Sequence, residues 1–537
     1  MNIRLFVFLN IIFLVSSRVS GQVIYPSDHT RDYYEILVLK NPEISHPISI
    51  HPSIISQYQV DSTLSWNIWG DNFKLGVKSS EKKSFVWVDP YVNYNANTIT
   101  PRGYNDGAIW SGKGSNMALT GGFQGKLGIL HFSFVPIVTW SQNLSIDIPP
   151  NVTGTVKSPY SYPFNGRIDY VQQFGEGDYS QFNFGQSEVR LVYKKMTLGV
   201  STENFKWGPS IWNPILMSNN AAGIPHIDIG TAIPIDTKIG KVEGKWYWGA
   251  AYESDYFDDN PENDRKYVTG ISLGYEPSFA PGLSLGLNRL LYTRWADGDL
   301  AARDIFAVFS HNTFKDSLKN DEYDQMISVS IKYRFPEVGF ECYIEYAKND
   351  FHSNLTGWFE EFDRGRALNW GVMKLFDLDD KNVLKFGYEF TTLSANQNQI
   401  LPSNVNPPYY VHSVVPNGYT NQGQIMGAGI GTGSNGSILK IDWYNPKGKL
   451  GVIYSRIRFN DDYFVNAYSQ QPEPPYPADF EVSAGIDYVR YFNRFSVRPQ
   501  IMWNYRKNWY YQDDVEVHNF HFGLQIHYLI KNSSISN

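Results

Sequence analysis

The sequence predicts an all-β chain, closed as a transmembrane antiparallel β-barrel. Three observations carry that expectation. In Ile327-Ser328-Val329-Ser330-Ile331-Lys332-Tyr333-Arg334-Phe335, apolar side chains take every odd position. After a Pro336–Gly339 turn the alternation resumes as Phe340-Glu341-Cys342-Tyr343-Ile344-Glu345-Tyr346. A strand turns successive side chains to opposite faces, so each arm has one apolar and one polar face. Second, aromatic residues make up 16% of the chain and charged residues only 18%, against about 25% charge in ordinary globular chains. Third, mean hydropathy is only −0.35, too polar for a helical membrane protein. A barrel reconciles these facts, since half its strand residues face lipid and half a wet lumen, with aromatic girdles between. The competing reading is a large secreted all-β protein such as a propeller or solenoid. No internal repeat of fixed period supports that alternative.

Taken in order, residues 1–21 read as a secretory signal. Arg4 supplies the positive start, Leu5 to Val15 is apolar apart from Asn10, and Val19-Ser20-Gly21 offers small residues before a cut ahead of Gln22. That apolar run is shorter than the roughly 20 residues of a spanning helix. Residues 22–63 do not alternate. They are expected to form a helix and loop that cap or plug the periplasmic mouth, or else a disordered leader. From about Leu64 to 530 the barrel pattern takes over, followed by a tail over 531–537.

Within that span, Val482/Ala484/Ile486/Tyr488 alternate with Ser483, Gly485 and Asp487. Phe520, Phe522, Leu524, Ile526 and Tyr528 alternate with His521, Gly523, Gln525 and His527 as a closing strand. Pro499 interrupts the run from Phe495 to Trp503, because proline cannot donate to a ladder. In the opening hairpin, Phe335 opposite Phe340 would set Arg334 across from Glu341 and Lys332 diagonally between Glu341 and Glu345. Short turns such as Asn445–Gly448 alternate with long Asn-, Pro- and Tyr-rich segments near 141–163, 205–234, 394–420 and 461–479, the pattern of periplasmic turns and extracellular loops. Strands of roughly 9–11 residues plus such loops make room for about 16 to 20 strands.

Cys342 is the single cysteine, which excludes an intramolecular disulfide. It falls on the apolar face of its strand, as a small hydrophobe. The net charge of −7 is spread along the chain, and no basic run suggests nucleic acid. No zinc-ligand spacing, phosphate loop or dinucleotide fingerprint appears, so no cofactor or metal is expected.

Three segments depart from strand periodicity and supply the candidate site residues. Asn105-Asp106-Gly107-Ala108-Ile109-Trp110-Ser111-Gly112-Lys113-Gly114 offers an acceptor in Asp106, a flat face in Trp110 and a cation in Lys113. It reads equally as a bend within the barrel wall. The segment from Trp207-Gly208-Pro209 to His226, through Asn213, Asn219 and Asn220, is dense in amides and hydroxyls. Folded inward, it would satisfy its backbone in a wet lumen, as a pore constriction, a sugar-binding ledge or plain filling. Gly418-Tyr419-Thr420-Asn421-Gln422-Gly423-Gln424 is expected to re-enter the wall from the loop that carries Tyr410 and His412.

These segments resemble the Wzi-type capsule assembly proteins of the bacterial outer membrane. Asn105 to Gly114 resembles the family's Asn-Asp-Gly-Ala-x-Trp-x-Gly-basic-Gly element. Trp207 to His226 resembles its Trp-Gly-Pro…Ser-Asn-Asn-Ala-x-Gly-x-Pro-His element, and Gly418 to Gln424 its Gly-Tyr-Thr-x-x-Gly-Gln element. Ser210-Ile211-Trp212 departs from it, where relatives often carry Gly and a basic residue. The resemblance implies a barrel of about eighteen strands with a helical periplasmic cap, acting as an outer-membrane lectin that keeps capsular or other surface polysaccharide attached and organised. Its expected partners are that polysaccharide, outer-membrane lipid, lipopolysaccharide and the barrel-insertion machinery.

Two other classes are open on the residues alone. A diffusion porin would line an open lumen with charges such as Lys332, Arg334, Glu341 and Glu345. A hydrolase would bring Ser218, His226 and Asp106 together. Chance pairing among eleven histidines makes the second weak, and the chain is expected not to be an enzyme.

Overall fold

The computed structural model describes residues 25, 29–44, 46–54, 64–73, 83–148, 168–258, 260–295, 302–309, 323–349, 362–363, 365–394, 409–412, 415–462 and 477–530. The signal segment, the tail over 531–537 and parts of the long loops near 141–163, 394–420 and 461–479 lie outside them.

The alternating runs form one closed antiparallel barrel. Twenty-one strand segments build it, and three staves are each interrupted once, which gives eighteen staves. In chain order the first five are Lys83–Asn97, Gly114–Leu127, Leu130–Phe134 with Ile137–Ser141, Tyr179–Asn183 with Glu188–Tyr193, and Met196–Ser201. His226–Thr231 with Ile235–Thr237, Gly240–Tyr252, Arg265–Pro277 and Leu283–Arg294 follow, then Tyr323–Phe335, Phe340–Asn349, Arg366–Asp379 and Asn382–Thr392. Asn435–Asn445, Gly448–Arg458, Phe480–Phe492, Phe495–Lys507 and Glu516–Tyr528 complete the wall. Glu516–Tyr528 closes it by pairing with Lys83–Asn97, from Tyr91↔His527 to Asn97↔His521. Closure joins the first and last staves, so the sheet has no terminal edge strand to expose to lipid.

Period two sets the two faces. Val329, Ile331, Ile344, Phe520 and Phe522 are exposed on the outside, while Ser330, Lys332, Glu345, Gln525 and His527 are buried inside. Phe335 pairs with Phe340 and Arg334 with Glu341, in the register that the alternation predicts. Lys332 lies 3.9 Å from Glu341. Arg334 instead reaches past Leu283–Arg294 to the next stave but one, where its guanidinium meets Glu276 at 2.6 Å. Pro499 keeps its full ladder with Glu516–Tyr528. Toward Phe480–Phe492 the ladder skips from Asp487↔Gln500 to Arg490↔Val497, as a residue without an N–H requires.

A plug fills the lumen from both ends. Helix α1 (His29–Lys40) lies inside the short-turn end, the periplasmic side of such barrels. Its Tyr33, Ile36 and Leu37 pack on Trp69, Phe73 and the inward side chains Met373, Leu375, Val383 and Tyr444. Tyr33 stacks on Trp69 at 3.8 Å and gives its hydroxyl to Asn67. Leu64, Trp66 and Ile68 therefore belong to the plug and not to the wall, which begins at Lys83. They alternate, but they cover the helix rather than line a stave.

Beyond α1 the chain climbs the lumen. Ile50–Pro52 pairs antiparallel with Phe205–Trp207, which descends from the long loop between Met196–Ser201 and His226–Thr231. Two wall carboxylates grip this junction. Glu243 accepts the backbone N–H groups of Ile48, Ser49 and Ile50 at 3.1, 3.0 and 2.9 Å. Glu389 accepts those of Ile211, Trp212 and Asn213 at 2.8, 3.1 and 2.7 Å, with the Ser210 and Tyr343 hydroxyls. Inward ion pairs brace the wall. Arg190 forks onto Asp228 at 2.6 and 2.8 Å and reaches Glu188 at 2.8 Å.

Candidate functional site

At the long-loop end, three segments that lack strand periodicity meet over the plug. Their backbones are tied together by polar groups. Gly107 donates its N–H to the Asn219 carbonyl at 2.7 Å. Asn220 Oδ1 accepts the Asn105 N–H, and its Nδ2 donates to the Ile425 carbonyl. The Gly418–Gln424 segment does not re-enter the wall. Thr420–Asn421 and Gln424–Ile425 form a tight hairpin in the lumen, and the next stave begins only at Asn435. Carbonyls of plug and wall hold the hairpin there: Asn421 Nδ2 donates to Ala222 of the plug, and Gln422 N donates to Tyr252 at the end of a stave.

Above this floor lies a depression of about 110 Å³. Tyr104, Trp110, Tyr170, Trp509, Tyr510 and Tyr511 line it, together with Arg102, Arg506, Asp479 and Glu481. Arg506 forks onto Asp479 at 2.7 and 2.6 Å and lies 4.1 Å over the Phe459 ring. Arg102 reaches Glu481 at 3.3 Å and lies 5.0 Å over Tyr104. Trp509 and Tyr510 stack at 5.0 Å. The turn that carries them is strained: Asn508, Tyr510, Tyr511 and Asp514 all have φ between 52° and 60°, a left-handed backbone that costs about 1–3 kcal/mol per non-glycine residue and concentrates at functional sites. Tyr510 N on Asp479 Oδ2 (3.0 Å) and the Tyr511 hydroxyl on the Asn460 carbonyl (3.1 Å) hold it in place.

Asp106 sits where this depression, a lower chamber of about 240 Å³ and a lateral cavity of about 410 Å³ meet. Its carboxylate accepts the Ser111 hydroxyl at 3.3 Å. By surface area it is only half-buried, yet the packing around it pushes its carboxyl up to about 7, against the opposing pull of Ser111, Arg498 and Arg102. Burial likewise raises Asp479, with Arg506 pulling the other way.

The other predicted residues fall in different places. Trp110 lines the depression, donates to Asn143 Oδ1 and meets Phe174 edge-on at 4.9 Å. Lys113 is tied to the Ser145 carbonyl at 2.9 Å. Asn213 and Asn219 border the lower chamber, where Asn219 Oδ1 carries no hydrogen bond. Trp207 is fully buried against Phe205 and Tyr247, so its ring presents no free face. Tyr410 and Tyr419 are also fully buried in the plug core. Tyr410 donates its hydroxyl to Ile215 and accepts the Ala428 N–H. His412 is half-buried at the edge of that core.

The hydrolase constellation is not assembled. The Ser218 hydroxyl goes to the Gly427 carbonyl at 2.5 Å. His226 bonds the Ile224 carbonyl and neighbours Asp228, and no hydrogen bond joins it to Ser218. Sequence reasoning missed Tyr104, Tyr170, Arg102, Arg506 and the Trp509–Tyr511 run. The run was visible as three aromatics ahead of Gln512-Asp513-Asp514 at the end of a good strand. Its partner Asp479 arrives from the start of another stave, and no local pattern announces it.

The family model for capsule assembly protein Wzi matches residues 91–513. Among solved structures, the chain is similar to Wzi of Escherichia coli, described as a carbohydrate-binding β-barrel involved in group 1 capsule assembly. That match has a TM-score of 0.58 at 11% identity and covers 95% of this chain and 100% of that one. Pseudomonas aeruginosa OprD matches with a TM-score of 0.37 at 10% identity, over 83% of this chain and 93% of that one. Acinetobacter baumannii OccAB4 matches with a TM-score of 0.37 at 11% identity, over 82% and 97%. No curated protein sequence matches. The family match runs from inside the first stave to the last long loop, and on that span the chain belongs to the Wzi family of capsule assembly proteins, outer-membrane β-barrels.

Proposed function

We propose that this protein binds capsular or other surface polysaccharide at the depression above the plug, and so keeps the polymer attached at the cell surface. The carrying observation is a recess in which aromatic rings alternate with paired charges, held by a strained turn at the long-loop end. Aromatic faces cover the C–H surfaces of a sugar ring, and carboxylates, guanidinium groups and amides pair its hydroxyls. Arg506 and Arg102 are already fixed by Asp479 and Glu481, so their remaining donors are offered with little rotamer entropy left to lose. Each sugar contact is modest, and a polymer that engages several at once gains avidity.

The plug supports attachment over transport. Among the described residues, α1, the Ile50–Pro52/Phe205–Trp207 ribbon and the Thr420–Ile425 hairpin occupy the lumen that a diffusion channel needs open. The test is calorimetric titration of the detergent-purified protein with surface polysaccharide fragments from its own strain, beside Trp110→Ala and Tyr510→Phe. Trp110→Ala is expected to lose about 1 kcal/mol, roughly fivefold in affinity. No saturable binding by the wild type, together with unchanged partition of cell-bound and released polysaccharide on gene deletion, would refute the proposal.

A further inference from the structure

Three of the first four staves are irregular at one height. Lys83–Asn97 shifts register against Gly114–Leu127 between Val88 and Tyr91, around Asp89-Pro90. The next stave breaks between Phe134 and Ile137, and the one after it between Asn183 and Glu188. Across the breaks, Val135 and Gly185 form an isolated parallel bridge inside an otherwise antiparallel wall.

Side chains replace the missing ladder bonds. Thr120 donates its hydroxyl to the Pro136 carbonyl at 2.7 Å, and Ser187 Oγ accepts the Val135 N–H at 2.9 Å. Thr202 donates to the Gly185 carbonyl at 2.9 Å. Gly185 has φ +58°, and a Cβ there would stand 2.4 Å from the Val135 carbonyl oxygen. A break satisfied this fully is a built feature and not a frayed strand.

Behind it lies the largest of the three cavities, about 410 Å³, within the roughly 300–1,000 Å³ range of ligand sites. Tyr25, Tyr91, Ala108 and Ile137 line it, and Phe182 and Phe184 stand at its outer edge. Those two rings are 58% and 57% exposed on the lipid-facing side, so the cavity is continuous with the apolar belt. Its polar lining is largely turned to itself. Gln186 Nε2 donates to Asn204 Oδ1, Asn204 Nδ2 to the Ala221 carbonyl, and Asn421 Nδ2 to the Ala222 carbonyl. Gln422 Oε1 and the Asp106 carboxyl at the inner end are the exceptions. An apolar cavity with a mouth on the bilayer fits hydrocarbon better than water or sugar, since water is held only where it finds 2–4 polar partners.

We infer that this break is a lateral window, and that the cavity behind Phe182 and Phe184 takes one acyl chain of an outer-membrane lipid. The chain enters past Phe182 and Phe184, beside the edge of Tyr179–Asn183 that pairs with no strand among the described residues because Met196–Ser201 has already ended, and it ends beneath the Asp106 loop. The inference does not depend on polysaccharide binding.

The experiment uses the full-length protein extracted from membranes in lipid-containing polymer discs, without detergent. Native mass spectrometry reads any retained lipid, and its mass separates a phospholipid from lipid A. A phospholipid carrying a mid-chain diazirine, supplied in vesicles, maps the contacts by photolabelling. The inference expects a retained lipid of either mass and labels on the inward-facing Tyr25, Tyr91 or Ala108. Ala108→Phe and Ala222→Met, which narrow the void from the plug side, are expected to cut inward labelling about tenfold while labelling of Val138 outside persists. Labels confined to Val138, Phe182 and other outward residues, with no retained lipid in the wild type, would overturn it. The wild-type label map decides the question even where a variant fails to fold.

Discussion

Replacing Asp32 with asparagine tests what holds the plug in place. Asp32, on the first turn of α1, reaches Lys440 at 2.5 Å and Lys385 and Lys449 at 3.7 Å each. Burial works against its charge, but the three lysines outweigh it and hold its carboxyl well below the usual range. Lys449 also contacts Asp442 and Asp487 at 3.0 Å, so the helix completes a cluster the wall has already built. Removing one partner of a buried pair costs about 3–5 kcal/mol. The Asp32 side chain is 15% exposed and the lysines keep other partners, so the lower end, about 3 kcal/mol, is the expectation. At 1.36 kcal/mol per decade that is an increase of roughly 150-fold in helix undocking. Amide hydrogen exchange across residues 29–40 reads it directly, as loss of protection in the plug with the wall unchanged. The pH dependence has a definite sign. A depressed folded-state value means the stabilisation is present above the unfolded value near 3.9 and is lost as pH falls below it. The wild type therefore matches itself between pH 5 and 8 and approaches Asp32→Asn only in acid. Equal protection of α1 in both proteins at pH 7 would refute the electrostatic anchor.

Glu243→Ala removes the acceptor of three backbone N–H groups, each bond to a charged group being worth about 1.5–3 kcal/mol. Exchange at Ile48, Ser49 and Ile50 is expected to accelerate at least a hundredfold while the wall stays protected. In planar bilayers the wild type is expected to show no steady pore, and a deletion spanning residues 46–54 to raise conductance; steady wild-type pores would defeat the plugged reading. Asp106 has the opposite sign to Asp32. Its raised value near 7 means the wild type loses stability as pH climbs from about 4 to 7 and levels off above. Asp106→Asn, which cannot titrate, is expected to flatten that slope in thermal melts, and an identical slope in both proteins would count against a raised Asp106 carboxyl.

Much of the wall was legible from residue order. Phe335-Pro336…Gly339-Phe340 announces a tight turn, and alternation on both sides fixes register because a slip by one residue would turn every apolar side chain into the lumen. Plug contacts were not legible. Leu64, Trp66 and Ile68 alternate like a strand, yet they cover α1. Trp207 and Tyr419 read as candidates for binding sugar or lining the lumen, and they are core. A lumen large enough to hold folded chain supplies a second interior, and short apolar runs carry no mark of which interior they will enter.

The residue order by itself determined a barrel of alternating strands and the segments that fold into it, because period two and turn chemistry act between near neighbours. Only the tertiary structure decided the site. Arg506 finds Asp479 across adjacent staves, Asp32 finds lysines more than 350 residues away, and the strained Trp509–Tyr511 turn gathers rings from four loops. Those meetings depend on how eighteen staves close into a ring, and closure is a property of the whole sheet that no stretch of sequence contains.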